Sequence, residues 1–510
     1  MSVRVVSTPL TGSLLAEAAN PGSNGHGWYA ERPASAGDWT RRAEAARESL
    51  VSRDWLADLA PAFGATGEAS RRLERASQSG FAVTTGQQPG LFGGPLYTWW
   101  KALSALSLAN HLERLTGRPV VPIFWAATDD SDLAEASATT VAPHEVAVII
   151  EIADAAKTGL ALAHTPLGDV TAQLSQLALA SGSAPHARFL DLVRQAYADG
   201  RTVGGSFVAL LRSVLHPMGI AVLDASHSAT RNAAYPVLLQ ALQSAGQVEQ
   251  SLENRAAALK AAGYPQQVKL VRGRSLVFSD TESKRERVKI RDAAGIAASG
   301  LPGGLGPNVL LRPIVERSML PTVAYVGGPA EIAYFAQVSA VAAALGAETP
   351  LILPRWSGVV VEPRIDRILG RHGLSVDDFR DPHAIETTMA RESIPPGVAS
   401  GIADARESMH SATEELLGAD GSDLISPSII EGVRRSFSHR MDRLERRYAA
   451  AIKRRGGGAL NDVAIARASL FPNGVQQERS LNLIPLLARH GEDLFTQVLR
   501  EIDPHTASMT

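Results

Sequence analysis

The chain has 510 residues, 45% of them apolar, and its 50 basic and 52 acidic side chains give a formal net charge of −2. That balance excludes a general electrostatic pull toward nucleic acid or an anionic membrane. The absence of Cys excludes disulfides, thiolate zinc sites and a cysteine nucleophile.

Met1–Asn20 lacks the basic start, apolar stretch and small-residue cleavage site of a signal peptide. No run of about 18 apolar residues occurs either. A cytoplasmic protein with no membrane and no nucleic-acid partner is therefore expected. Length alone suggests roughly three domains.

Residues 1–80 read as mostly helical after an irregular start. A repeated strand, Gly-rich turn and helix follows. Phe81–Thr85 predicts a strand, Gly86–Gly94 a turn, and Pro95–Leu115 a helix stopped by Gly117. Val120–Ala127 is an unbroken apolar run, as expected of a strand covered on both faces in a parallel sheet. Ala153–Gly200 reads as a helical insertion, and Ile220–Asp224 as another buried strand. Gln267–Ser279 predicts a hairpin centred on Arg272–Gly273–Arg274, and Asp292–Asn308 a loop. Asn308–Glu316 reads as an apolar strand interrupted by Arg312.

The unit returns with a strand at Thr322–Val326, a turn at Gly327–Pro329, a helix at Ala330–Leu345 and a strand at Pro350–Leu353. Two such units favour a doubly wound α/β sheet. Beyond Asp381 apolar residues recur at three- and four-residue steps, from Val398 to Leu416 and from Ile430 to Ile452, which predicts an antiparallel coiled coil. Its stripes lead us to expect a homodimer. The basic residues of the second helix are expected to be matched by acids of the first, such as Glu407, Glu414 and Glu415. The expected division is a core over 1–380 with insertions near 153–200 and 235–308, an arm over 381–465, and a helical tail over 466–510.

Three groups of residues carry candidate chemistry. Glycines in Gly86–Gly94 let backbone N–H groups approach a ligand, and a helix start there favours an anion. Gln87 and Gln88 add neutral donors and acceptors. The alternative is a tight turn with no ligand. Asp129, Asp130 and Asp132 follow a buried strand, where open α/β sheets bind ligands. They suit an ammonium group, Mg²⁺ or base work, and one of them is expected to cap a helix. Gly327, Gly328 and Glu331 repeat the helix-start pattern between Tyr325 and Tyr334. Arg312 is a candidate carboxylate clamp, or else a structural partner of Glu316. Arg355 either reaches the same crevice or is a surface arginine.

Four segments carry a resemblance. They are Thr85-Gly-Gln-Gln-Pro-Gly-Leu-Phe-Gly-Gly-Pro-Leu-Tyr-Thr98, Val121-Pro-Ile-Phe-Trp-Ala-Ala-Thr-Asp-Asp-Ser-Asp132, Asn308–Glu316 running on through Leu320–Gln337, and Phe471-Pro-Asn-Gly-Val-Gln-Gln-Glu-Arg479. Together and in this order they resemble the cysteine ligase family of bacillithiol biosynthesis (BshC). The resemblance implies a Rossmann-like core similar to class I aminoacyl-tRNA synthetases and nucleotidyltransferases, with a C-terminal coiled coil. It also implies amide ligation of cysteine to an amino-sugar malate glycoside, glucosaminyl-malate.

On this resemblance Asp129, Asp130 and Asp132 are the expected catalytic residues. The substrate contacts are expected from Gly86, Gln87, Gln88, Gly90, Gly93, Gly94, Tyr97, Arg312, Tyr325, Gly327, Gly328, Glu331, Tyr334 and Arg355, with no metal. The family pattern reads Glu-Asp-His-Asp in the second segment, whereas here it is Asp129-Asp130-Ser131-Asp132, so the imidazole is missing. The HIGH and KMSKS phosphate motifs are not evident, which leaves the cofactor unassigned, with ATP one option. The alternatives are another nucleotidyl- or aminoacyl-transfer enzyme of this fold, or a dimeric binding protein that has lost catalysis.

Overall fold

Five strands buried on both faces form a parallel sheet. The computed structural model describes residues 3–14, 28–143, 146–152, 159–281, 284–299, 304–381, 384–420, 424–455 and 458–510. In chain order the strands are β1 (Arg4–Ser7), β2 (Phe81–Gln87), β3 (Val120–Ala126), β4 (Ala138–Val141), β5 (Val148–Glu151) and β6 (Ala221–Asp224). They continue with β7 (Arg274–Thr281), β8 (Lys284–Lys289), β9 (Leu305–Pro307), β10 (Thr322–Gly327), β11 (Ile352–Pro354) and β12 (Gly358–Val361). The central sheet runs β11-β10-β2-β3-β6, every pair parallel, with β2 and β3 in register from Phe81↔Val120 to Gln87↔Ala126.

Successive β3 residues serve opposite cores, as a strand period of two dictates. Val121, Ile123 and Trp125 enter one core, while Phe124 and Ala126 face another. Each large apolar side chain so buried contributes roughly 1.5–3 kcal/mol. From β2 the chain builds outward through β3 to β6, and later returns to build β10 and β11 on the other side. The order therefore reverses between β2 and β10. That switch point opens a crevice at the carboxyl ends of the strands.

The chain divides into two compact units. One is made of Met1–Pro143, Val148–Val360 and Glu478–Thr510, and the other chiefly of Val361–Gln477. In the second, the Pro396–Gly418 and Pro427–Arg455 helices pack antiparallel. Arg406 pairs with Asp442 (2.8 Å) and Glu445 (3.0 Å), and Arg434 with Glu414 (3.4 Å). The coiled coil and the cross-helix charge matching expected of Glu414 are thus present.

Three local expectations need correction. The hairpin does not turn at Arg272–Arg274. It is formed by β7 and β8, which pair antiparallel from Arg274↔Lys289 to Thr281↔Lys284, with β9 added along β7. Its tip at 282–283 lies outside the described residues, as do 153–158 and 300–303 of the expected insertions. Asp292–Asn308 is not a plain loop, because most of the Ile290–Ser299 helix and all of β9 fall within it. Finally, Arg312 does not lie in a strand but opens the Arg312–Met319 helix. Asn308 starts that helix by accepting the Leu310 and Leu311 N–H groups on its side chain (3.1 and 3.0 Å) and the Arg312 N–H on its carbonyl (2.9 Å). Pro313 then sits in the first turn, where its missing N–H has no helical partner to lose.

Candidate active site

Lys101 organises the floor of the crevice. It lies on the Leu96–Thr116 helix with its side chain 2% exposed. A buried ammonium requires close partners, and this one donates to Glu331 (2.8 Å), to the Gln87 side-chain oxygen (3.2 Å) and to the Gly86 carbonyl. It thereby ties the end of β2 to the helix that follows β10.

Glu331 also accepts the Gly328 N–H (2.7 Å) and the Tyr325 hydroxyl (2.6 Å). Burial pushes its carboxyl up, but Lys101, the Gly328 N–H and the Tyr325 hydroxyl together hold it below the ordinary Glu value. Glu331 therefore occupies the helix start itself.

Arg312 forms one wall. Its Nη1 donates to the buried Glu316 at 2.6 Å, and Glu316 also accepts from Thr84. The guanidinium lies 4.8 Å from the Tyr325 ring centroid and 6.0 Å from that of Trp125. Its Nη2 is buried and makes no hydrogen bond of good geometry, although the guanidinium lies beside the Tyr334 hydroxyl. Arg312 is thus the structural partner of Glu316 and at the same time lines the cleft.

Asp129 and Asp130 lie past the end of β3. Burial pushes the Asp129 carboxyl up, and Arg285, 3.4 Å away, partly counters this. Asp130 accepts from the Gln88 amide and from the Asp132 N–H (2.9 Å). Asp132 is the helix cap that the sequence led us to expect, its side chain accepting the Glu135 N–H at 3.3 Å.

On the other flank, Arg355 is no surface arginine. It is 2% exposed and is held by Glu478 through two hydrogen bonds, 2.7 and 3.0 Å. Glu478 also accepts the Gly358 N–H at 3.2 Å. The C-terminal segment is thereby fixed to the end of β11, and the Arg355 guanidinium comes to lie 5.7 Å from the Tyr97 ring centroid.

These groups enclose a cleft of about 480 Å³, within the range of small-molecule sites. Of the residues singled out from the sequence, Gly86, Gln87, Gln88, Tyr97, Asp129, Asp130, Arg312, Tyr325, Gly328, Glu331, Tyr334 and Arg355 line it. Gly90, Gly93, Gly94, Asp132 and Gly327 do not. The first glycine turn faces away because the C-terminal segment covers it. The Leu481 carbonyl takes the Leu96 N–H (2.9 Å), and the Asn482 amide donates to the carbonyls of Leu91, Phe92 and Gly94. Its glycines serve geometry: Gly93 and Gly94 have φ of 89° and 73°, and a Cβ on Gly90 would lie 2.6 Å from the Gly94 Cα.

Sequence reasoning missed Lys101, Trp125, Phe278, Arg285, Arg287, Asn308 and Arg479 as members of the cleft. Ser131 also lines it. Among the described residues no group of three or more His, Asp or Glu side chains could hold a metal ion. No described helix is long and apolar enough to cross a membrane.

A Rossmann-like α/β unit with a charged cleft at its switch point, followed by a helical coiled coil, is the class that fold and site define. The comparisons with known proteins agree. Residues 1–356 match the model described as "Bacillithiol biosynthesis BshC, N-terminal Rossmann-like domain", and residues 358–510 match "Bacillithiol biosynthesis BshC, C-terminal coiled-coil domain". A relative from Solibacter usitatus named "Putative cysteine ligase BshC" is 32% identical over 453 residues, covering 85% of each chain. One of the same name from Koribacter versatilis is 31% identical over 458 residues, covering 85% of this chain and 84% of its own. A third, from Salinibacter ruber, is 26% identical over 506 residues, covering 94% and 92%. The chain belongs to the bacillithiol-biosynthesis BshC family.

Proposed function

We propose that this protein is an intracellular ligase that joins the carboxyl group of cysteine to the amine of glucosaminyl-malate, completing bacillithiol. One observation carries the reading. Asp129 and Asp130 line a single cleft together with Arg312, whose Nη2 is buried without a hydrogen bond of good geometry. That is the charge complement of an amino acid, with acids for its ammonium group and a guanidinium for its carboxylate.

In this reading Asp130 holds the ammonium group. Asp129 exchanges a proton with the attacking amine, its affinity for that proton raised by burial. The Gln87 and Gln88 amides and the Tyr97 hydroxyl orient polar groups of the acceptor. The amide forms as one carboxyl oxygen departs, so the carboxyl must be activated beforehand. ATP is the candidate source, and no residue is assigned to it.

The test is an assay of the purified protein with cysteine, glucosaminyl-malate and ATP, together and with each omitted. Mass-spectrometric detection of the amide only in the complete mixture supports the reading. Formation of cysteinyl-adenylate without amide would favour a general aminoacyl transfer instead. No consumption of any substrate would favour a lapsed enzyme, although the cleft is not filled by its own side chains.

A further inference from the structure

Four of the six cations that line the cleft have acid partners. Lys101 is paired with Glu331, Arg285 with Asp129 and Asp280, Arg312 with Glu316, and Arg355 with Glu478. Two cleft arginines, Arg287 and Arg479, have no acid partner among the described residues. The two differ in burial. Arg479 is exposed and already solvated, so it needs no partner. Arg287 is partly buried, with no acid to offset its lost hydration.

Cross-strand register explains how Arg287 comes to face the cleft. On the β7–β8 hairpin Asp280 stands opposite Arg285, and Phe278 opposite Arg287. Arg285 and Arg287 are two residues apart and so share one face. Both guanidiniums lie near the Phe278 ring, at 4.5 and 5.5 Å from its centroid. Two like charges on one ring repel each other. Arg285 is relieved by Asp129 and Asp280, whereas Arg287 has no acid to relieve it among the described residues. An anion in the cleft would relieve it.

Position in the sheet says which anion. The hairpin's Arg285 stands against Asp129 past β3, and Arg355 follows β11, three strand spacings away, which is about 14 Å. An amino acid does not span that width. Cysteine held between Asp130 and Arg312 fills only part of that width, and Arg287 is left to meet the second substrate.

We infer that the β7–β8 hairpin is the acceptor's anion subsite and that Arg287 binds a carboxylate of the acceptor's malyl end. This rests on the proposed ligase reading and assigns a specificity residue within it.

The experiment compares glucosaminyl-malate with methyl glucosaminide, which lacks both carboxylates, on the full-length wild type, Arg287→Ala and Arg287→Lys. Affinities are taken by calorimetry and KM values from the amide assay. The wild type should favour the malyl ligand by about tenfold or more, the scale of one charge-assisted contact. Arg287→Ala should erase the preference without affecting methyl glucosaminide, the KM for cysteine or the melting temperature. Arg287→Lys should retain part of it.

A preference that is absent in the wild type, or that persists in Arg287→Ala, overturns the inference. So does a loss that falls on the KM for ATP, which would make the subsite a phosphate site. Malyl binding that depends on Arg287 without amide formation would refute the ligase reading and leave the subsite standing. Amide formation with an unchanged acceptor KM in Arg287→Ala would do the reverse.

Discussion

Replacing Lys101 by Met keeps the length and apolar stem of the side chain and removes its charge. Glu331, half-buried at the cleft, is then left with the Gly328 N–H and the Tyr325 hydroxyl as its remaining partners. Removing one member of a buried ion pair costs about 3–5 kcal/mol. The two surviving donors place the expected loss near the lower end, about 3 kcal/mol. All seven tryptophans lie between residues 28 and 356 and so fall in the first compact unit. Urea unfolding followed by tryptophan fluorescence thus reports that unit without the coiled coil.

Adding Glu331→Gln to Lys101→Met should recover at least half of the loss, because no uncompensated charge remains. Acid should narrow the gap as well. In the wild type the depressed Glu331 pKa gives stability that is present above the ordinary Glu range and lost as pH falls through the folded value. In Lys101→Met burial dominates and raises that pKa, so the variant regains stability as pH falls and Glu331 protonates. A loss under about 1 kcal/mol at pH 7, or strict additivity in the double variant, would refute the idea that the pair is buried and charged.

Three further outcomes are expected. Asp130→Asn keeps size and, with the Gln88 amide turned so that its oxygen accepts from the new NH2 group, keeps that contact, so the KM for cysteine should rise about tenfold or more with an unchanged melting temperature; a fall in stability with binding intact would make the cluster structural. Arg285→Gln removes the cation that counters burial at Asp129, so the acid limb of the pH–rate profile should move to higher pH; a limb that stays put would remove Asp129 from the rate-controlling ionisation. Ile429, Val433, Leu444 and Tyr448 are exposed on the Pro427–Arg455 helix, so light scattering should show a dimer at tens of micromolar and a monomer for Val433→Glu, and a monomeric wild type would count against pairing through this helix.

The sheet was legible because its strands are apolar on both faces and its helices stop at glycines. Those signals are local, and β2, β3, β6, β10 and β11 all appear where the apolar runs lie. Arg312 was misplaced because Val309–Leu310–Leu311 and Ile314–Val315 suit a strand as well as a buried helix. Pro313 and the Asn308 side chain decided between them. Lys101 carried a signal that was overlooked: the helix after the first glycine turn is apolar nearly all round, so a lone Lys within it had to be buried and paired. No comparable signal marks Arg285 and Arg287, since Lys-Arg-Glu-Arg reads as an ordinary solvated strand until its register with Phe278 and Asp280 is known. The cover on the glycine turn was equally invisible, because Leu481 and Asn482 lie almost four hundred positions away.

That distant cover bears on how the protein is made. The first unit is discontinuous, and Glu478, Leu481 and Asn482 complete it only after Val361–Gln477 have been synthesised. At ribosomal rates of about 5–20 residues per second, that interval is roughly 6–23 s. Throughout it the sheet exists without the clasp on its glycine turn, and Arg355 is buried without its acid. The nascent enzyme therefore passes through an unfinished intermediate with an exposed turn and an unpaired guanidinium, a species that a chaperone or a protease would meet before the cleft ever holds a substrate.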